Sequence, residues 1–231
     1  MGRAERALQV HLDHGVPLLH RDLDTPATIP DNTTKQLELF PTARNVPVDK
    51  VLLYAGQGED WWYGGEPMMD QNYGVQSKSE VDVYLRFEND KKAGLGIPLP
   101  AGRIRVSKLD SADGNMEFIG EDTIKHTPRD EQVMIRLGKA FDVVGSRRQV
   151  DFSVDSVRRT MTETIEVEVR NRKDQPAEVI VQERMLRWAN WQFVGKDTPA
   201  NKKLDARTVH FPVQLGANET KKVTFTVRYS W

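Results

Sequence analysis

A two-residue alternation of apolar and polar side chains runs through most of this chain and constrains its fold more than any other feature. The clearest case is the stretch "KKVTFTVRY" (221–229), in which the apolar positions are Val223, Phe225, Val227 and Tyr229. Successive side chains of a β-strand point to opposite faces, so this pattern predicts a strand with one dry side and one wet side.

Similar strand patterns recur along the chain, and helical periodicity is sustained nowhere. They cover 48–55, 80–87, 103–109, 132–137, 149–154, 163–170, 177–183 and 207–215. Turn-forming segments such as "DSADGN" (110–115) and "GANET" (216–220) lie between them. Short strands with such turns predict an all-β fold of antiparallel β-sandwich units.

The strand pattern suggests two domains. Residues 149–231 have the proportions of one immunoglobulin-like β-sandwich, with "TIEVEVRNRKDQPAEVIVQE" as a hairpin. Residues 1–148 are predicted to form an N-terminal β-rich unit. A Gly-rich and aromatic insertion at 56–74 interrupts this unit and is too long for a hairpin turn.

Composition excludes several classes of function. The formal net charge is -1, so no overall field favours nucleic acid, and we expect no nucleic-acid partner. No apolar run is long enough to cross a bilayer, and "MGRAERALQV" lacks the apolar core of a signal peptide, so we expect no membrane insertion by this fragment. The chain has no cysteine, which excludes disulfides and thiolate metal sites.

The stretch "GEDTIKHTPRDE" (120–131) is the strongest candidate for acid–base or metal chemistry. It carries Glu121, Asp122, His126, Asp130 and Glu131. Their spacing fits no standard ligand set, and one histidine among scattered carboxylates is more typical of a hydrogen-bonded connection between strands.

Other short motifs also fall short of a site. His11, Asp13 and His14 in "QVHLDHG" resemble a metallo-β-lactamase-type run, but Gln9 stands where the first histidine belongs. "GLGIPL" lacks the third glycine of a dinucleotide loop, and "DSADGNMEF" does not match the ligand order of an EF-hand. We therefore predict no catalytic residues, no metal site and no cofactor.

The insertion at 56–74 is the best candidate for ligand binding. It places Trp61, Trp62, Tyr63 and Tyr73 among glycines and carboxylates. Flat rings stack on the apolar faces of sugars or peptides, while carboxylates accept hydrogen bonds from hydroxyls. The competing interpretation is that these rings fold back and plug one end of a sandwich, because large aromatic side chains are readily buried.

Three longer stretches carry a family resemblance. They are "LRFENDKKAGLGIPLPAGRIRV" (85–106), "FIGEDTIKHTPRDEQVMIRLGKAFDVVGSRRQ" (118–149) and "VEVRNRKDQPAEVIVQE" (167–183). In this order they resemble a bacterial family of unknown function found at the C-terminus of mucoidy-inhibitor-A-like proteins. "ATIPDNTTKQLELF" (27–40) and the final "VTFTVRYSW" (223–231) are also similar to that family.

The resemblance implies a truncated, exported, β-rich protein. Members are typically longer, with an N-terminal β domain and a helical segment upstream, and many carry export signals. A periplasmic or extracellular location is therefore expected. The family has no established chemistry, so the resemblance implies no activity and transfers no catalytic residue.

Three hypotheses about function follow. The leading one is a non-enzymatic β-sandwich scaffold or protein-interaction module of the bacterial envelope, which would pair exposed strand edges with a protein partner. The second is a module that binds carbohydrate or cell-wall glycan through the aromatic insertion. The third, which has the least support, is a hydrolase that uses the acids of 120–131, and it would require a concave pocket in which they converge.

Overall fold

β-Strands are the main secondary structure in the part of the chain that the structure describes. A computed structural model describes residues 12–13, 43–58, 65–110, 112–196 and 198–231. In these ranges there are twelve strands and no helix, so the all-β prediction is confirmed. The strands are β1 (Leu12–Asp13), β2 (Asp49–Tyr54), β3 (Glu80–Glu88), β4 (Gly102–Leu109), β5 (Met116–Ile124), β6 (Gln132–Asp155), β7 (Thr160–Asn171), β8 (Ala177–Arg184), β9 (Trp191–Val194), β10 (Lys202–Lys203), β11 (Thr208–Leu215) and β12 (Thr220–Ser230).

The strands form a small sheet and a large one. The small sheet has the order β1-β4-β5, and the large sheet has the order β10-β11-β8-β2-β3-β6-β7-β12-β9. Neighbours such as β7 and β12 are antiparallel, but β2 pairs with β8 in parallel from Leu52↔Val179 to Tyr54↔Val181. The large sheet is therefore mixed rather than purely antiparallel. A parallel pair requires a long connection, and more than a hundred residues separate these two strands.

The chain divides into two compact units that are discontinuous in sequence. Unit 1 comprises the described residues of Met1–Lys50 together with Leu85–Leu137, and unit 2 comprises those of Val51–Tyr84 and Gly138–Trp231. This division differs from the predicted domains 1–148 and 149–231. β6, a strand of 24 residues, runs through the predicted boundary, and the observed boundary falls within the same strand, between Leu137 and Gly138. The immunoglobulin-like topology of the C-terminal part remains a prediction.

Unit 1 has its own apolar core. It is built from alternate residues of three strands, with Leu85 and Phe87 from β3, Ile104 and Val106 from β4, and Val133 and Ile135 from β6. Val46, Leu99 and Ile124 complete it. The period-two pattern of the sequence thus places the buried side chains as expected.

Unit 2 buries the side chains that alternate along β7 and β12. Phe211 of β11 stacks on Phe225 of β12 with ring centroids 4.9 Å apart and an angle of 18° between the ring planes. These two strands are not neighbours in the sheet, so this contact joins two faces across an interior. Such face-to-face packing is consistent with a β-sandwich.

The two ends of the large sheet are connected through one tryptophan. Trp191 of β9 donates its Nε1–H to the carbonyl oxygen of Ala206 at 2.9 Å, and the Lys203 ammonium of β10 lies 4.7 Å from the ring centroid. Strands β9 and β10 are the outermost strands of the sheet order. These contacts hold the two edge strands of the sheet near each other.

Candidate functional site

The base of the 56–74 insertion is closed by backbone pairing. The Lys78 N–H donates to the carbonyl oxygen of Gly56 at 2.9 Å, and Gln57 and Ser77 form an antiparallel bridge. Tyr54, at the end of β2, donates its hydroxyl to the carbonyl oxygen of Lys78 at 2.7 Å. These contacts therefore hold together the two ends of the segment that contains the insertion.

Arg187 holds the second half of this insertion through its main chain. Its guanidinium donates to the carbonyl oxygens of Met68, Asp70 and Tyr73 at 3.1, 2.7 and 2.7 Å. The Met68 N–H in turn donates to the carbonyl oxygen of Arg187 at 2.9 Å. The planar fork of an arginine can donate to several carbonyl oxygens at once.

Arg147, on β6, makes the equivalent contact one residue further along. Its Nη1 donates to the carbonyl oxygen of Gly74 at 2.7 Å, and its Nε lies 3.1 Å from both carboxylate oxygens of Glu183 on β8. The two side chains are only 3% and 1% exposed, so water does not screen this pair.

A second buried ion pair orients Arg187. Its Nε lies 3.0 Å from Oε2 of Glu163 on β7, and the two side chains are 3% and 7% exposed. Gln149 donates to the other carboxylate oxygen at 2.9 Å, and the guanidinium carbon lies 4.5 Å from the ring centroid of Phe152. We refer to Arg147, Glu163, Glu183 and Arg187 as the buried charge network.

Burial also changes the acidity of groups in and near this network. Burial raises the pKa of the Glu183 carboxyl, and the facing Arg147 guanidinium opposes that rise. Burial likewise raises the pKa of the Tyr229 phenol, whose hydroxyl points to the sulfur of Met185 at 3.8 Å. Tyr229 therefore stays neutral at physiological pH.

Of the four predicted ligand-binding residues, the structure describes only Tyr73. Trp61, Trp62 and Tyr63 lie outside the described residues. Tyr73 is half-buried at the anchored end of the insertion, with its ring centroid 5.8 Å from the Arg187 guanidinium carbon and its carbonyl oxygen bonded to the same group. Its backbone thus belongs to the anchor of the insertion.

The acids of 120–131 lie in unit 1 and have separate partners. Glu121 forms exposed ion pairs with Arg103 and Arg105, both at 3.2 Å. Asp122 follows it in β5, so the two side chains point to opposite faces, and Asp122 accepts the Arg136 N–H at 2.8 Å.

The remaining groups of this stretch also join segments of the backbone. His126 accepts the Ala101 N–H at 3.2 Å through Nδ1, and the Asp130 N–H donates to the Asn89 carbonyl oxygen at 2.9 Å. In the part of the chain that the structure describes, no three His, Asp or Glu side chains are grouped so as to hold a metal ion.

The buried charge network was not predicted from the sequence, although two of its members leave a signal there. Glu163 is in phase with the buried Met161 and Ile165, and Glu183 is in phase with the buried Val179 and Val181. A carboxylate at an apolar position of a strand indicates a buried ionic partner. The identity of the partner requires the fold.

Comparisons with protein-family models, with curated proteins and with solved structures find no match to this chain. Within the described ranges, no helix is long and apolar enough to span a bilayer.

Proposed function

We propose that this chain is a non-enzymatic β-sandwich scaffold of the bacterial envelope that presents the 56–74 insertion to a protein partner. The observation that carries the proposal is the anchoring of that insertion. Two buried arginines donate to the carbonyl oxygens of Met68, Asp70, Tyr73 and Gly74. The envelope location rests on the family resemblance of the three long stretches.

Anchoring of this kind supports a binding role. The segment 68–74 is held in place before any partner arrives, so it loses less conformational entropy on binding and more of its contact energy appears as affinity. The sequence between Gly58 and Gly65 contains two tryptophans and a tyrosine. Aromatic residues of this kind are enriched in the centres of protein interfaces.

The occupation of the acidic groups supports a non-enzymatic role. Among the described residues, the buried carboxylates are Glu163 and Glu183, and each faces an arginine. In the 120–131 stretch, Glu121 faces two arginines and Asp122 accepts backbone N–H groups. A hydrolase needs carboxylates directed at a common reacting centre, and these are directed at structural partners.

Substitution of Arg187 tests how much this residue contributes to the stability of the fold. Replacing Arg187 by Met leaves Glu163 buried without its cation, so we expect a loss of about 3–5 kcal/mol in the free energy of unfolding. The matched control is Arg105→Met, which removes an exposed partner of Glu121 and is expected to cost at most about 1 kcal/mol. Chemical denaturation of both variants measures this. Equal losses would show that Arg187 is not an anchor.

The role in binding is tested by placing a photoreactive amino acid at Tyr63 in cells. We expect one specific cross-link to an envelope protein, and we expect Arg187→Lys to weaken it, since an ammonium cannot replace the fork of carbonyl contacts. A matched probe at Leu204, an exposed residue outside the insertion, is the control. A cross-linking pattern that is the same at both positions would contradict the proposal.

Glycan binding is the competing function for the same rings, and oxidative footprinting distinguishes it. Trp61, Trp62 and Tyr63 are read with and without soluble cell-wall glycans, with Trp191 as the reference ring. A protein-binding scaffold predicts no protection by glycans. Protection that is lost in Trp61→Ala would replace the proposal by a carbohydrate-binding module.

A further inference from the structure

Unit 1 contains a cleft that none of the functions above uses. It has a volume of about 380 Å³ and is lined by Asp90, Lys91, Lys92, Gly96, Arg129 and Asp130. This volume lies at the lower end of the range of about 300–1,000 Å³ that is usual for small-molecule sites. The lining comes from two loops, one that follows β3 and one that precedes β6.

A fully buried asparagine joins these two loops. Asn89 donates through Nδ2 to the carbonyl oxygen of Ile97 at 2.7 Å and to that of Pro128 at 2.8 Å. Its backbone exchanges hydrogen bonds with the second loop, since its N–H donates to Glu131 O and its carbonyl oxygen accepts from Asp130 N, both at 2.9 Å. The distance between the two walls of the cleft is therefore fixed.

The first wall is also fixed along its own length. Asp90 accepts the Ala93 N–H through Oδ1 at 2.6 Å and the Leu95 N–H through its carbonyl oxygen at 2.9 Å. Gly96 has φ +78°, and a Cβ atom there would lie 2.8 Å from the Lys91 nitrogen. Only glycine fits this position without strain, so the shape of this wall depends on Gly96.

The cations of the cleft are not used by the fold. Lys91, Lys92 and Arg129 are exposed, and none forms an ion pair with any residue that the structure describes. Elsewhere in the same unit, Arg86, Arg103 and Arg105 each face a carboxylate at 3.1 or 3.2 Å, whereas Lys108 and Lys125 are exposed and also have no ion pair among the described residues. Three unpaired cations on fixed walls can converge on an oxyanion, and the arginine can bind it in a bidentate manner.

The two carboxylates narrow the class of ligand. Asp90 and Asp130 would repel a compact polyanion, but carboxylate oxygens accept hydrogen bonds from hydroxyl groups. We propose that this cleft binds a hydroxylated anion of monosaccharide size, namely a hexuronate or a hexose phosphate, with Arg129 and the two lysines on the anionic group and the aspartates on the hydroxyls. The site lies in unit 1 and does not depend on the function proposed for the insertion.

Titration of the whole chain with four probes tests the proposal. Glucuronate and glucose 6-phosphate separate the two sources of the anion, while glucose and inorganic phosphate separate the hydroxyl part from the anionic part. The readout is the amide chemical shift of Gly96 followed to saturation. We expect at least one sugar anion to bind about tenfold more tightly than either glucose or phosphate, because two kinds of contact are made together.

Variants locate the binding. Arg129→Gln should weaken binding of the sugar anion about tenfold, the usual effect of losing one charged hydrogen bond. Asp130→Asn should reduce the preference for the sugar anion over inorganic phosphate. The matched control is Lys108→Gln, which removes the same charge from an exposed position on β4.

Several results would overturn the proposal. These are shifts that do not saturate with either sugar anion, phosphate that binds as tightly as the sugar anions, glucose that binds equally well, or equal weakening by Lys108→Gln and Arg129→Gln. Thermal unfolding of each variant shows that its fold is intact. Because the probes are read at Gly96, failure here leaves the cross-link and footprint at the insertion unaffected.

Discussion

Asn89 in unit 1 and Asn171 in unit 2 each join two loops by the same set of hydrogen bonds. We refer to each of these two junctions, with the loops it joins, as a corner. Each is fully buried, and each donates through Nδ2 to two carbonyl oxygens from different loops. For Asn171 the acceptors are Gln175 and Gly216, both at 2.8 Å. Each also accepts one backbone N–H through Oδ1, from Gly96 at 3.2 Å and from Lys173 at 3.1 Å respectively.

The two corners differ in what their charged and polar side chains do. At the Asn171 corner, Asn218 donates to the carboxylate of Asp174 at 3.2 Å, and Glu219 accepts the Gly216 N–H and faces Lys221 at 3.4 Å. At the Asn89 corner, the three cations have no ionic partner among the described residues. Within the described residues an ion pair thus supports the Asn171 corner and none supports the Asn89 corner, while Arg172 and Lys173 beside Asn171 also have no ionic partner there.

Among the changes that test this comparison, removing either asparagine is expected to have the largest effect. Ala at position 89 or 171 leaves two buried carbonyl groups and one N–H without a partner, so each variant should lose about 2–4 kcal/mol in the free energy of unfolding. Asn115→Ala, in an exposed turn, is the matched control and should stay within about 0.5 kcal/mol of the wild type. Urea denaturation measures all three. A loss at only one of the two corners would break the comparison.

Replacing a glycine by alanine should destabilise the Asn89 corner more than the Asn171 corner, with smaller losses than those of the asparagine variants. Gly96→Ala forces a side chain into the left-handed region and against the Lys91 nitrogen, so we expect a loss of about 1–2 kcal/mol. At Gly216 a Cβ atom would lie 3.3 Å from the end of the Glu219 side chain, which can move. Gly216→Ala should therefore cost no more than about 0.5 kcal/mol. Similar thermal midpoints for both variants would contradict this distinction.

Lowering the pH should destabilise the Asn171 corner, because it protonates the Glu219 carboxylate. The Gly216 N–H that donates to this carboxylate lowers its pKa below the usual 4.5. The unfolded chain then takes up the proton first as the pH falls, so this contribution to stability is present above pH 4.5 and is lost as the pH falls through the folded-state pKa. Glu219→Gln should lose less stability than the wild type between about pH 7 and pH 3. Denaturation curves with parallel pH dependence would rule out this contribution.

Neutralising a cation of the cleft should change stability least. Arg129 is exposed and unpaired within the described structure, so Arg129→Gln should alter the free energy of unfolding by no more than about 0.5 kcal/mol. The same variant is expected to weaken ligand binding, which distinguishes a functional residue from a structural one. A loss comparable to that of Asn89→Ala would mean that Arg129 supports the corner itself.

The local pattern of the sequence was sufficient for β2, β3, β4, β7, β8, β11 and β12, whereas it predicted two separate strands in place of β6 and did not indicate β5 or β9. Val223, Phe225, Val227 and Tyr229 were predicted to share the dry side of one strand, and all four are buried in β12. This succeeds because the direction of a side chain in a strand follows from its position in the sequence alone.

The order of the strands and the charge network could not be predicted in this way. Arg187 reaches carbonyl groups 119 and 117 positions away in the chain, and Asn89 reaches one 39 positions away. Backbone carbonyls carry no sequence signal, because every residue has one. The unpaired state of the cleft cations could not be predicted either, since the sequence does not show which residues lie next to a lysine in the fold.

The position of β12 has a consequence for biosynthesis. This strand lies between β7 and β9 in the large sheet, although it is the last of the twelve to be translated. Its register with β7 runs from Thr220↔Arg170 to Ser230↔Thr160. Until Ser230 has left the ribosome, one edge of β7 has no partner strand, and the apolar side chains that β7 buries in the folded protein are still exposed. Unit 2 therefore folds late, through contacts between residues that are distant in the sequence. A nascent chain of this protein therefore exposes this edge of β7 from the synthesis of β7 until β12 is complete.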